Sequence, residues 1–139
     1  MLRRARKSTS SSSRVNWERA QDIEGRINFL VTRLDLFWID KSRVHCFRSR
    51  NSQARAYARI WGFSKIWQLA LQVKPSYCLE VLGENYDNLS PKEKDKVLLH
   101  ELAHIPRNFS GALLPHTKRG KGSFHDRLEG MIHLYNKVV

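Results

Sequence analysis

Cysteine is scarce in this 139-residue chain, and the two present, Cys46 and Cys78, have no partner at zinc-ribbon spacing and build no disulfide framework. Each lies in an apolar, strand-like context where a free thiol behaves as a small hydrophobe, so a reducing, intracellular compartment is expected. Long hydrophobic runs are missing too. Ile66–Val73 is the nearest thing to one, and it is far short of the roughly 20 residues that cross a bilayer. No apolar segment follows the N-terminus, so neither a secretory signal nor membrane contact is expected. Acids are also few: 13 Asp plus Glu stand against 25 Lys plus Arg, a net charge of +12.

The chain has a hydrophobic content of 41%, enough for one modest core. Five of the twelve net positive charges sit in MLRRARKSTSSSSR, which holds no acid. Residues 1–14 therefore read as a disordered basic arm or a transit-like segment, and residues 15–139 as a single domain. The rest of the chain is basic as well. Such a balance favours acidic partners through salt-sensitive attraction, and it implies weak, non-specific nucleic-acid binding without naming a function.

Within the domain, Ile23, Ile27, Leu30, Val31, Leu34 and Phe37 recur at helical spacing, predicting an amphipathic helix over Trp17–Phe37. Four apolar runs follow: Arg43–Arg48, Arg55–Trp61, Ile66–Gln72 and Tyr77–Leu82. They predict three or four short strands in a largely antiparallel sheet covered by the first helix. Ser90-Pro91-Lys92-Glu93 carries an N-cap, a proline at the first helical position and a glutamate three residues after the cap. A helix from there to about Ile105 is expected, since Pro106 disfavours helical geometry before it. A loop over Arg107–Gly122 leads to a last helix, Ser123–Lys137, striped by Phe124, Leu128, Met131, Ile132 and Tyr135. The fold class is α+β.

His100-Glu101-Leu102-Ala103-His104 falls inside the capped helix. Residues four apart share a helix face, so both imidazoles can reach one Zn²⁺. Glu101 projects beside them, placed to take a proton from a water at the metal. A third protein ligand is needed. His116, after the apolar turn Leu113-Leu114-Pro115, is favoured over His125 in the first turn of the last helix; Asp126 and Glu129 are carboxylate alternatives. His133 reads as a surface residue. Arg107 and Ser110 occupy the positions where a metzincin has glycine and histidine, so that class is excluded. Tyr86, Arg119 and His125 are candidates for stabilising negative charge on oxygen.

The segments RVHCFRSRNSQARAYARIWGFSKIWQLAL, PSYCLEVLGENYDNLSPKEKDKVLLHELAHIP and NFSGALLPH resemble the small metallopeptidase family of archaea, uncultivated bacteria and phages. HELAHIP with the later GALLPH is far more specific than H-E-x-x-H alone. The resemblance implies a minimal zincin fold, a zinc site of His100, His104 and, by motif position, His116, and Glu101 as general base. A looser similarity to SprT-like proteases, which act on DNA-bound proteins, rests on architecture and charge. A peptide or protein substrate is expected, paired along an exposed sheet edge.

A rival reading is a basic nucleic-acid module with a structural, four-ligand zinc. Trp61, Phe63 and Trp67 interleave with Arg55, Arg59 and Lys65 as single-strand-binding surfaces do, although at strand spacing such aromatics are expected in the core. Lys118, Arg119 and Lys121 add a basic loop near the proposed metal.

Overall fold

The computed structural model describes residues 14–117 and 119–139. The arm of residues 1–14 lies, Arg14 aside, outside the described residues, as does Lys118. Strand β1 (Asn16–Arg19) leads into helix α1 (Gln21–Arg33). A 3-10 turn (Lys41–Arg43), β2 (Val44–Arg50), β3 (Ala58–Gly62) and α2 (Lys65–Leu71) follow. The chain closes with β4 (Tyr77–Leu82), the short α3 (Gly83–Tyr86), α4 (Pro91–Leu102) and α5 (Phe124–Val138).

The four strands form one sheet in the order β1-β2-β4-β3, antiparallel at both outer pairs and parallel between β2 and β4. One face presents Cys46, Leu79, Val81 and Ala58 to a core closed by Ile23, Ile27 and Leu30 of α1 and Leu98, Leu99 and Leu102 of α4. Among the described residues no helix is long and apolar enough to cross a membrane.

Two segments depart from the periodicity reading. Residues 16–19 pair with β2 as a strand, and Ala20 N–H still bonds Cys46 O at 3.0 Å before the helix begins. Helical periodicity starts only at Ile23, and the partner strand takes the residues before it. At the other end Asp35 adopts φ 52°, a left-handed stop that short polar side chains tolerate. Phe37 is thereby carried off the helix stripe and left 73% exposed. The second departure is Ile66–Gln72, expected as a strand and found as helix α2 between Ser64 and a left-handed Gln72. A short apolar run without periodicity does not separate the two states, and here the sheet already has its edge in β3. The helix is inverted, with Gln68 buried and Ile66, Trp67, Leu69 and Leu71 exposed.

Candidate metal centre

Helix α4 begins as its sequence dictates. Ser90 Oγ accepts the Glu93 N–H, Glu93 Oε1 accepts the Ser90 N–H at 3.0 Å, and Pro91 fills the first turn. Regular α-geometry ends at Leu102, three residues before the expected stop, but the chain keeps turning. Ala103 holds φ −65°, ψ −18°, and His104 N–H and Ile105 N–H bond Glu101 O and Leu102 O at 3.1 and 3.0 Å. This tightened last turn keeps His104 beside His100. The carbonyl of Ile105 accepts from Trp38 Nε1 at 3.2 Å and from Arg127 at 3.3 Å, so the helix end is not left unsatisfied.

The return loop brings in the third imidazole. His100, His104 and His116 each offer a donor atom, and these atoms lie within 4.8 Å of one another. His100 Nε2 and His116 Nε2 are 3.2 Å apart. His104 Nδ1 sits 2.6 Å from Leu114 O, while Leu114 N–H bonds His104 O at 2.7 Å. With Nδ1–H donating to that carbonyl, the Nε2 lone pair of His104 is free for a metal. Burial, and then the neighbouring imidazoles, pull His100 down to about 4; burial likewise lowers His104, so both are neutral and ligand-competent at pH 7. Phe124, the first residue of α5, stacks on His104 with centroids 4.3 Å apart and meets His100 and His116 edge-on.

The loop is anchored by groups that no motif marks. Tyr77 Oη donates to Ala112 O at 2.8 Å and accepts the Gly111 N–H at 2.9 Å. Gln68 Nε2 donates to Phe63 O and Ser110 O at 2.7 and 2.8 Å. Gly111 needs to be glycine: its φ is +96°, and a Cβ there would stand 2.2 Å from Phe63 O.

Glu101 is buried at the back of a cleft of about 840 Å³, and burial pushes its carboxyl up to about 7. Residues 56–60, leading into and along β3, form one wall, with Lys96 and Val97 of α4 and Leu113–Leu114 opposite. Because β3 is the outermost strand, its outer edge is unpaired within the sheet.

Other expected residues fall elsewhere. His125 is not in the cluster; its Nε2 lies 2.8 Å from His116 O, steadying the backbone of that residue. Asp126 caps the start of α5 by accepting the Gly122 N–H at 2.8 Å, and Glu129 and His133 are exposed. Tyr86 is buried, with its hydroxyl 3.5 Å from Lys94 O, and neither it nor Arg119 lines the cleft. The cleft wall instead offers Tyr57 and Lys96, which sequence reasoning missed. The spacing of Lys96, His100 and His104, one helical turn apart each time, was the available signal for the second. Cys46 and Cys78 are free thiols, Cys46 buried in β2. Trp61 and Trp67 are exposed, against the expectation that the aromatics belong to the core.

These three imidazoles are the only group of three or more potential metal-holding side chains among the described residues. A family sequence model described as putative phage metallopeptidase matches residues 15–130, a span that takes in the whole sheet, α4, the return loop and the first half of α5. No curated protein and no solved structure matches the chain. With the greater part of its length matched, and with a histidine triad able to hold a metal, the chain belongs to the putative phage metallopeptidase family.

Proposed function

We propose that the chain is a zinc peptidase in which His100, His104 and His116 hold the metal and Glu101 is the general base. The observation that carries this reading is a triad of imidazoles with a buried glutamate at the foot of a cleft walled by an edge strand. Three nitrogen ligands suit zinc and leave a fourth position open, which a closed structural site would not. When bound, zinc supplies Lewis acidity that polarises a carbonyl and makes water acidic enough to ionise near neutral pH.

The remaining steps belong to the chain's own residues. An extended substrate pairs its backbone with the free edge of β3, which lays the scissile peptide across the triad. Glu101, with its proton affinity raised by burial, takes a proton from the attacking water as oxygen bonds to the carbonyl carbon. It returns that proton to the amine nitrogen as the C–N bond breaks. Tyr57 and Lys96 are the cleft donors available to the oxygen that gains charge, in place of Tyr86, Arg119 and His125.

Glu101→Gln tests the assignment. Zinc content near one per chain should survive the change, while hydrolysis of a casein substrate should fall by roughly 100-fold or more. Hydrolysis at the wild-type rate would overturn the role of Glu101, and undiminished zinc in a His100→Ala/His104→Ala variant would overturn the metal site.

A further inference from the structure

The sheet has a second face, and it is built unlike the first. Strand register places Arg19, Phe47, Glu80 and Arg59 in one row across all four strands. His45, Cys78 and Trp61 form the row on one side of it, and Trp17 stands in the row on the other. All of these side chains point away from the core residues Cys46, Leu79 and Val81. Trp17 is 58% and Trp61 51% exposed, although each could have been a small polar residue on a solvated face. Together with Phe47, Cys78 and Glu80 they line an open slot of about 360 Å³.

The slot is preorganised. Trp61 Nε1 donates to Glu80 Oε1 at 3.1 Å, which fixes the plane of the indole while leaving its ring half open to solvent. Arg59 bonds both oxygens of the same carboxylate and lies 5.4 Å from the Trp61 ring. Arg19 lies 5.6 Å from the Phe47 ring. The one acid in these rows, Glu80, is 2% exposed and paired with Arg59, while Arg19 pairs with Glu24 of α1 at 3.0 Å and keeps 58% of its side chain open to solvent. Strand β1 follows directly on a segment carrying Arg3, Arg4, Arg6, Lys7 and Arg14, and the chain as a whole carries +12.

We propose that this face binds single-stranded nucleic acid, with bases stacking on Trp17 and Trp61 and phosphates meeting the exposed sides of the Arg19 and Arg59 guanidinium groups. Half-open indoles, that of Trp61 fixed by its bond to Glu80, offer sequence-tolerant π-faces, and guanidinium groups beside them serve both stacking and phosphate contact. A duplex buries its base faces in its own stack and has none to offer. An apolar protein partner would have to desolvate the Arg19–Glu24 and Arg59–Glu80 pairs, whereas an anionic strand can share their partly exposed guanidinium groups. The site lies on the opposite side of the sheet from α4, so it is independent of the peptidase assignment.

Binding of the full chain to a fluorescently labelled 12-nucleotide oligothymidylate, followed by anisotropy at several salt concentrations, tests the proposal. Trp17→Ala and Trp61→Ala should each weaken binding by roughly 5- to 100-fold without changing the salt slope, and Trp→Phe should restore most of it. Glu101→Gln should bind as wild type does. Melting temperature and zinc content report whether the variants fold. Should the alanine variants fail to melt cooperatively, quenching of wild-type indole emission by the oligonucleotide decides, and no quenching overturns the site. Wild-type affinity in folded alanine variants overturns it too, as does a blunt duplex that competes as well as the single strand. A concentration-dependent dimer in ultracentrifugation that these variants abolish, with no oligonucleotide bound, would assign the face to a second copy instead.

Discussion

The hydroxyl of Tyr77 lies under the loop that carries His116, bonded both to Gly111 N–H and to Ala112 O. Burial raises its proton affinity, so it remains a neutral phenol that donates one hydrogen bond and accepts another. Tyr77→Phe removes both bonds and strands a buried amide, at a cost of about 1–3 kcal/mol. Because Ala112 stands four residues before His116, the loss should also reach the metal. A drop of roughly 10- to 100-fold in zinc affinity is expected, measured by competition with a chromophoric chelator. Unaltered zinc affinity, with or without lost stability, would show that Tyr77 supports the fold and not the site.

Three helices meet at one buried carboxylate. Asp95 of α4 accepts two bonds from Arg26 of α1 at 2.7 and 2.6 Å and one from Tyr135 of α5 at 2.7 Å. Burial would raise its pKa, but the bonds from Arg26 and Tyr135 outweigh it and hold the carboxyl below the usual range. A depressed carboxylate contributes stability that is complete above its unfolded pKa of about 4 and is lost as pH falls through the folded value. Denaturant midpoints should therefore fall in acid, and Asp95→Asn should flatten that fall. At neutral pH the change should cost about 1–3 kcal/mol, with Arg26 free to relax into water. An acid slope in Asp95→Asn equal to that of wild type would mean other carboxylates dominate the pH response.

At the scale of the molecule, excess charge is the dominant property. The segment Met1–Ser13 is rich in Ser and Arg and poor in apolar groups, a composition that offers little surface for a core. Deleting it should leave the melting temperature and zinc content nearly unchanged. Oligonucleotide binding should survive, with a salt slope shallower by up to about 0.7 for each cation removed that contacts phosphate. A melting temperature lowered by many degrees would show that the segment docks on the domain, and abolished binding at low salt would show that the arm, not the sheet, holds the nucleic acid.

The starts of α4 and α5 are written locally: Ser90 and Ser123 cap helices whose amides lie three residues away, and the i, i+4 spacing of His100 and His104 needs nothing outside one turn. The pairing of His100 with His104 on one helix face, the α+β class and strands β2, β3 and β4 were legible for that reason. Residues 16–19 were not, because their strand geometry comes from pairing with β2 about 30 residues on, and a helix-compatible sequence yields to a partner edge. Ile66–Gln72 has apolar side chains that fit either state, and its helix is held by Gln68 reaching Ser110 O across the fold. The parallel pairing of β2 with β4, the choice of His116 beside His100 while His125 holds a carbonyl, the Phe124 ring behind the triad and the open aromatic face arise the same way. Caps and periodicity are decided within about four residues of chain, whereas pairing, ring orientation and exposure depend on which distant segment packs alongside, and that is decided only when the whole core closes.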